Sequence, residues 1–154
     1  MSAECLLERE SCESSLEDVE KDLCTKNDTR ISRGVRNKAL GDRGERCAVA
    51  YLSRRQFQIL DTNWRCKFGE ADIVALDDDY LVFVEVKTRS SSNQGFPSEA
   101  VDKKKRDKYE KIALCYLERS DFSDMPVRFD VVSVVRVDEN RALLRHHINA
   151  FGVE

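Results

Sequence analysis

The stretch that decides the fold is GEADIVALDDDYLVFVEVK, residues 69–87. Two runs of strand-forming residues flank three aspartates, Asp77 to Asp79, which is the pattern of a β-hairpin with its turn at the aspartates. Charged side chains occupy one end of this hairpin, where a buried sheet would carry Val or Ile: Glu70, Asp72, Glu85 and Lys87. The chemistry of this charged end is the main question that the sequence raises.

The expected pairing of the two strands follows from the position of the turn. With Asp78 and Asp79 at the tip, Asp72 faces Glu85 and Glu70 faces Lys87. Because side chains alternate between the two faces of a strand, one face is wholly apolar. Its members are Ala71, Ile73, Ala75, Val82, Val84 and Val86. The tip lacks Asn-Gly, so a four-residue loop remains an alternative, and a slip of one residue would undo the pairing.

Two carboxylates that face each other across a hairpin are costly. At about 5 Å they repel by roughly 3 kcal/mol at an effective dielectric constant of 20. Either one of them stays protonated or a cation lies between them, and oxygen ligands suit Mg²⁺ or Mn²⁺. Lys87 follows Glu85 on the same face and could orient or deprotonate an attacking water, or steady a phosphate. These are the components of metal-assisted phosphodiester hydrolysis.

The rest of the chain predicts an α/β fold. Helical spacing of apolar residues runs from about 40 to 55, and FQIL (residues 57–60) begins a strand. After a polar loop, Ser98 could cap a helix that runs to about residue 119. VRFDVVSVVRV and ALLRHHI are the last two strands. The order α-β-β-β-α-β-β predicts a mixed sheet of about five strands flanked by helices.

Length and composition set the class of protein. A chain of 154 residues, 41% hydrophobic and 36% charged, fits one domain with a real core. No apolar run approaches the roughly 20 residues of a membrane span, and the N-terminus is not a secretory signal. We therefore expect a cytoplasmic protein with no membrane partner. No two of the six cysteines have CxxC spacing, so Cys47, Cys66 and Cys115 are interpreted as core residues in a reducing compartment.

Charge is uneven along the chain. The first 24 residues hold eight acidic and two basic residues, which leaves +3 for the rest, given the total of −3. We expect residues 1–36 to be a disordered acidic extension and residues 37–154 to form the domain. A mildly basic domain permits nucleic-acid binding without requiring it.

Several sequence blocks, in order, resemble a known family. They are GDRGERCAVAYL, GEADIVALDDDYLVFVEVKTR, AVDKKKRDK, RFDVV and INAF. Over about residues 39–151 the chain resembles the bacterial YraN-like family of the restriction-endonuclease-like, or PD-(D/E)xK, nucleases, which is similar to archaeal Holliday-junction resolvases. The acidic extension departs from the compact form of that family.

The resemblance implies a restriction-endonuclease-like three-layer core and a site for Mg²⁺ or Mn²⁺. It implies that Asp72 and Glu85 are metal ligands and that Lys87 is the catalytic lysine. Glu45 corresponds to a glutamate of the first helix that joins the site in the resolvase-like branch.

Each of these residues also has a structural interpretation, and Asp72 or Glu85 taken alone could be part of a solvated strand end. Asp42 and Glu45 have the spacing of a capping box, so Glu45 could simply cap its helix. Lys87 could form only a salt bridge with Glu70, and otherwise Glu70 is an outer partner of Lys87 rather than a metal ligand.

Basic residues near the hairpin mouth are candidates for phosphate contacts. Lys105 lies on the apolar stripe of its helix and could reach the carboxylates or a substrate phosphate. Arg65, Lys67, Arg89 and Lys104 could contact phosphates without reading sequence, and the alternative for each is ordinary surface charge.

Other conspicuous residues are interpreted as structural. Trp64 could stack a base but is more typical of a core position. His146 and His147 face opposite sides of a strand. Asp130 is expected to support the fold through Arg128 or a backbone group.

The sequence therefore predicts a metal-dependent endonuclease that acts on DNA, with branched or single-stranded DNA in recombination or repair as the expected substrate. The alternative is a catalytically inert nucleic-acid-binding module with the same fold, and a weaker third hypothesis is an adaptor that recruits a partner through the acidic extension. A two-fold symmetric junction would suit a homodimer.

Overall fold

The fold is built around a five-stranded sheet in the order β1-β2-β3-β4-β5. The computed structural model describes residues 33–90 and 101–151. Their elements are α1 (Arg33–Arg54), β1 (Gln58–Cys66), β2 (Gly69–Asp77), β3 (Tyr80–Arg89), α2 (Lys103–Leu117), β4 (Val127–Arg136) and β5 (Ala142–His147). Adjacent strands are antiparallel except β3 and β4, which are parallel and are connected by the crossover that contains α2. The predicted α/β class and mixed sheet are confirmed.

The sheet has an apolar cluster on each face, and one helix packs on each cluster. Ala48 and Leu52 of α1 pack in the cluster that contains Ile73, Val82 and Val132. On the other face, the apolar side chains of α2 pack against β2, β3 and β4, in the cluster of Ala71, Val74, Phe83, Tyr109, Ile112, Tyr116 and Val131. The result is three layers, helix on sheet on helix, as predicted. Neither helix in the described part of the chain has the length and apolar character needed to cross a membrane.

The β2–β3 hairpin has the predicted register. Paired residues run from Ile73–Val84 near the mouth to Asp77–Tyr80 at the tip, so Asp78 and Asp79 form a two-residue turn. Asp78 has φ +49°. Two-residue turns need such a left-handed value, which glycine often supplies and which aspartate tolerates better than most residues. The alternative of a four-residue loop is therefore wrong.

The mouth of the hairpin differs from the prediction. The ladder pairs stop at Ile73–Val84, so Asp72–Glu85 and Glu70–Lys87 are not pairs of a continued ladder. Ala71 packs on the α2 face although Ile73 packs on the α1 face, which breaks the expected alternation. The two strands separate at Asp72, so the regular alternation of side chains between the two faces of the hairpin does not extend to Ala71.

Both helices begin at positions other than those predicted. Asp102 is the N-cap of α2, because its carboxylate accepts the backbone N–H of Lys105 at 2.7 Å, so the predicted start at Ser98 is wrong. Ser98 itself lies outside the described residues. The first helix begins at Arg33 rather than about residue 40, in a polar and exposed segment that shows no hydrophobic pattern. Residues 1–32 also lie outside the described residues.

A buried polar network ties β4 to β5 and to the hairpin tip. Asp130 is fully buried and accepts hydrogen bonds from Arg128 at 3.0 Å and from the Asn149 backbone N–H at 2.8 Å, and it pairs with His146 Nε2 at 2.8 Å. Arg128 also reaches Asp77 at 2.7 Å. The predicted structural role of Asp130 is confirmed, including both predicted types of partner.

Two other structural interpretations are also confirmed. Trp64 packs edge-on against Tyr116 at 5.0 Å between ring centroids, within the core on the α2 side. Cys115 is buried, and Cys47 and Cys66 are partly buried against the clusters on the α1 and α2 faces.

Candidate active site

Asp72 lies on β2 at the point where β2 and β3 separate. Its Oδ2 accepts a hydrogen bond from the backbone N–H of Val86 at 2.7 Å, so the side chain bridges the two strands where the ladder has ended. Burial raises the pKa of Asp72 from 3.8 to about 7. The bond from Val86 opposes this shift, whereas the negative charges of Glu85, Glu45 and Glu70 add to it. Three further carboxylates are therefore close enough to act on Asp72.

Glu85 lies on β3 and is held from the α2 side. One of its oxygens accepts a hydrogen bond from Lys105 Nζ and the other accepts one from the hydroxyl of Tyr109. Lys105 and Tyr109 are one turn apart on α2, so both donors come from the same face of the helix. Burial and the charge of Glu85 raise the pKa of Tyr109, which keeps the hydroxyl protonated as a donor. The predicted reach of Lys105 to the carboxylates is confirmed.

Glu45 approaches Asp72 from the α1 side. It lines the same cleft as Asp72 and accepts a hydrogen bond from Asn63 Nδ2 at 2.9 Å. The preceding residue, Gly44, lies directly on Thr88 of β3: a Cβ on Gly44 would be 1.9 Å from Thr88 Oγ1. A glycine is required for this close approach, which brings α1 and the backbone of Glu45 near the mouth of the hairpin. Glu45 lies twelve residues after Arg33, the first residue of α1, so it is not at the helix start that a capping box needs.

Lys87 is two residues after Glu85 on β3 and is partly buried. It is opposite Ser133 of the parallel strand β4. Glu70 is opposite Arg65 of β1, and its carboxylate accepts the Arg65 Nε–H at 2.6 Å. The role of Glu70 as an outer partner of Lys87 stays a prediction.

The remaining predicted phosphate contacts lie around the site rather than among the carboxylates. Arg89 lines a second cleft that it shares with Glu45 and Val86. The side chain of Arg65 forms a salt bridge with Glu70 and is still 75% exposed. Lys67 lies in the β1–β2 turn and Lys104 in the first turn of α2, both exposed.

Sequence reasoning missed two members of the site. Tyr109 belongs to the apolar stripe of α2, and its spacing of four residues from Lys105 was a signal that both would reach Glu85. Asn63 was not singled out. It has φ +53° and lies between the Thr62–Ile73 and Trp64–Ala71 pairs of β1 and β2, and no sequence pattern predicts this left-handed backbone.

Oxygen donors from three elements thus converge at the hairpin mouth: Glu45 from α1, Asp72 from β2 and Glu85 from β3. This donor set has the chemistry that Mg²⁺ and Mn²⁺ prefer. Within residues 33–90 and 101–151, however, no three His, Cys, Asp or Glu side chains lie close enough together to hold a metal ion as they stand. The hydrogen bonds from Lys105, Tyr109 and Asn63 instead satisfy part of the carboxylates' accepting capacity.

Fold and site together define an α/β/α domain with a carboxylate cluster at the mouth of a hairpin. Residues 44–134 match the family described as "Uncharacterised protein family UPF0102", and the chain belongs to this family, also called YraN-like.

Three relatives of the same family illustrate the extent of the match. The chain is similar to a UPF0102 protein of Caldanaerobacter subterraneus, with 45% identity over 76% of this chain and 98% of the relative. It is also similar to a UPF0102 protein of Geobacter sulfurreducens, with 45% identity over 75% of this chain and 90% of the relative. A UPF0102 protein of Clostridioides difficile is 41% identical over 76% of this chain and 100% of the relative.

Proposed function

We propose that the protein is a metal-dependent endonuclease of the PD-(D/E)xK superfamily that hydrolyses phosphodiester bonds in DNA. One observation carries the proposal. Asp72 and Glu85 lie on adjacent strands where the pairing of β2 and β3 has ended, and the negative charges of Glu85 and of Glu45 on α1 both act on Asp72. A fold stabilised only by apolar packing gains nothing from gathering like charges there, because each adds an electrostatic cost. A binding site for a divalent cation explains the arrangement.

Asp72, Glu85 and Glu45 would hold Mg²⁺ or Mn²⁺. A cation of this kind polarises the phosphoryl oxygen and neutralises the charge that develops on it. Glu45, on a different layer from the two strand carboxylates, either completes the ligand set or positions the attacking water. Burial and the neighbouring carboxylates disfavour the ionised form of Asp72, and a bound cation would offset that cost.

Lys87 supplies a positive charge on the same strand as Glu85. Its Nζ would orient the attacking water, accept a proton from it, or steady the phosphate that is being cut. Tyr109 and Lys105 position Glu85 through its two oxygens. When a phosphate and a cation enter, the ammonium of Lys105 can move from Glu85 to a phosphate oxygen without leaving the site.

The substrate in this proposal is branched or single-stranded DNA in recombination or repair. It is supported by the likeness to resolvases and by the basic side chains around the site, Arg65, Lys67, Arg89 and Lys104, which could contact phosphates on more than one strand. Paired cuts in a two-fold symmetric junction would be made by a homodimer.

A second candidate, an inert nucleic-acid-binding module, is favoured by one specific observation. Both oxygens of Glu85 are already satisfied by Lys105 and Tyr109, so the site is partly neutralised without a cation. Such a module would bind DNA in a salt-dependent manner and would cut nothing.

The experiment that decides between the two measures cleavage and cation binding on the same preparations. Supercoiled, linear, branched and single-stranded DNA are incubated with Mg²⁺ or Mn²⁺ and with wild type, Asp72→Asn, Lys87→Ala or the exposed control Asp138→Asn. We expect wild type and the control to cut, and the two site variants to lose at least about 100-fold, in the range typical of a lost transition-state contact. Cleavage that survives both site variants would refute the assignment.

Cation binding is measured separately by calorimetric titration with Mn²⁺. We expect binding by wild type and by Lys87→Ala, and none by Asp72→Asn. Absence of both Mn²⁺ binding and cleavage in wild type, with DNA binding retained, would support the inert module instead.

A further inference from the structure

An exposed aromatic ring lies at the turn between β1 and β2. Phe68 follows Lys67 in this two-residue turn and is 39% exposed, although a phenylalanine is usually buried. The next residue, Gly69, has φ +145°, and a Cβ on it would be 2.3 Å from Cε of Lys108. The turn therefore lies in close contact with α2, and its ring has a defined place on the surface.

Lysines surround this ring. Lys67 Nζ is 4.9 Å and Lys111 Nζ is 5.9 Å from the ring centroid. Lys104 and Lys108 line the same depression, and Lys104, Lys108 and Lys111 form one stripe along about 10 Å of α2. Two acidic residues also line the depression, and the carboxylate of one of them, Asp102, caps α2. The depression is therefore net positive.

The depression is continuous with the candidate active site. Lys105 lines it and at the same time donates to Glu85. Lys111, which lies over the Phe68 ring, and Lys105 are six residues apart on α2, which is about 9 Å along the helix axis.

The occupant that fits this surface is a nucleotide whose base is unpaired. A phenyl face stacks on any base, and a row of ammonium groups beside it tracks a phosphate backbone, which is the combination that binds single strands without reading sequence. A base inside a duplex has no free face to offer, so a duplex would use the lysines alone. The net positive charge of the depression excludes a basic partner and favours a polyanion.

We propose that Phe68 stacks an unpaired base of DNA whose neighbouring phosphates contact Lys67, Lys104 and Lys111, which delivers a single-stranded segment to the carboxylate site. This inference deepens the proposed nuclease function and rests on it for the fate of the bound strand. The stacking contact itself can be tested without cleavage.

The test is binding of the full chain to DNA in EDTA, followed by fluorescence anisotropy. Matched probes are a single strand, the same sequence as a duplex, and a duplex with an unpaired flap. The variants are Phe68→Ala, Phe68→Tyr and Leu143→Ala, the last being an equally exposed apolar residue on β5. We expect Phe68→Ala to weaken binding of the single strand and the flap by about 5-fold to 100-fold and to change duplex binding by less than about 2-fold. Phe68→Tyr should restore single-strand binding, and Leu143→Ala should behave as wild type.

Two further measurements separate stacking from charge. A 2-aminopurine base in the single strand should be quenched by wild type and by Phe68→Tyr but not by Phe68→Ala. Lys111→Ala should weaken all probes alike and reduce the salt dependence of single-strand binding by about 0.7 in log–log slope. Unchanged single-strand binding in Phe68→Ala, or equal losses on single strand and duplex at unchanged melting temperature, would overturn the proposal.

The outcomes distinguish this inference from the nuclease proposal. Selective loss of single-strand binding in Phe68→Ala, in a protein that cuts no DNA with any divalent ion, would support the stacking contact and refute the nuclease. Cleavage by wild type with no effect of Phe68→Ala on single-strand binding or cleavage would refute the stacking contact alone.

Discussion

The backbone N–H of Val86 donates a hydrogen bond to the carboxylate of Asp72 across 2.7 Å, at the point where the ladder between their strands has ended. A side chain on β2 thus closes the gap to β3 and stays among other carboxylates. The cost of that position is visible in the pKa of Asp72. Burial and the charges of Glu85 and Glu45 together raise it to about 7, against the effect of the Val86 bond.

Replacing Asp72 by Asn should stabilise the metal-free protein in a pH-dependent manner. Because the folded-state pKa is raised from 3.8 to about 7, the favourable contribution of Asp72 is fully present below pH 4 and is lost as pH rises through 7. We expect the free energy of unfolding of Asp72→Asn in EDTA to exceed that of wild type at pH 8.5 by up to about 4 kcal/mol, and by much less at pH 5. Urea unfolding at both pH values measures the difference.

The control for this prediction is Asp138→Asn, because hydrogen bonds to the Asn140 backbone and to Arg141 lower the pKa of Asp138. This variant should show no gain at pH 8.5. A gain for Asp72→Asn that is equal at pH 5 and pH 8.5 would contradict the assigned cause. Saturating Mn²⁺ should reverse the order of wild type and Asp72→Asn at pH 8.5.

Tyr109→Phe should impair the site more than it impairs the fold. The change deletes a hydrogen bond to the Glu85 carboxylate, with an expected loss of about 1.5–3 kcal/mol in the free energy of unfolding. Because Glu85 is then held by Lys105 alone, Mn²⁺ affinity and cleavage should each fall by about 10-fold to 100-fold.

The matched control is Tyr116→Phe on the same helix, which deletes a hydrogen bond to Asp61, a carboxylate outside the cluster, at 2.6 Å. Tyr116→Phe should lose stability and leave the Mn²⁺ affinity unchanged. If both variants reduce Mn²⁺ affinity equally, Tyr109 acts through the core of the fold and not through Glu85.

Gly44→Ala and Gly41→Ala should have opposite effects on stability. A methyl group on Gly44 would overlap Thr88 of β3, whereas one on Gly41 meets nothing within 4 Å. We expect Gly44→Ala to lose about 1–3 kcal/mol, and Gly41→Ala to gain about 0.5–1 kcal/mol from the higher helix propensity of alanine. Thermal unfolding measures both.

The cause of the Gly44 effect can be isolated with Thr88→Ala, which removes two of the three atoms that the new methyl group would meet. The double variant should recover part of the lost stability. No recovery would show that the loss arises elsewhere in α1.

Asp130→Asn should be among the most destabilising single changes away from the site. It removes a fully buried charge that pairs with Arg128 and His146, with an expected loss of about 3–5 kcal/mol. Burial alone would raise the pKa of Asp130, but the hydrogen bonds from His146, Arg128 and the Asn149 backbone outweigh it and lower the pKa. The contribution of Asp130 is therefore present above pH 4 and is lost as pH falls through the lowered pKa.

Urea unfolding at pH 7 checks this prediction, with Asp77→Asn as control. Asp77 is bonded to the same Arg128 but its side chain is 27% exposed, so its loss should be clearly smaller. Equal losses for Asp77→Asn and Asp130→Asn would show that burial does not decide the strength of this network.

Much of the fold was predictable because local patterns and long-range packing agree. In the hairpin, apolar alternation on two strands and three aspartates between them leave one register that buries both faces, and that register is observed. The mixed sheet followed from the position of α2 between β3 and β4, since parallel neighbours need a long crossover.

The site was less predictable because it lies where those patterns stop. Alternation placed Asp72 directly opposite Glu85, but separation of the strands makes Asp72 reach a backbone group of Val86 instead. Tyr109 was overlooked because an aromatic residue on an apolar stripe packs by its ring and can still donate from its hydroxyl. Phe68 was overlooked because exposure of a turn residue depends on how the turn lies against α2.

The crossover through α2 divides the site along the chain. Segment 33–90 contains the carboxylates of Glu45, Asp72 and Glu85, whereas segment 101–151 contains Lys105 and Tyr109, the two donors that hold Glu85. A chain cut between the two segments would place the carboxylates and these two donors on separate fragments. The fragments would regain a working centre only by reassociating through the parallel β3–β4 contact.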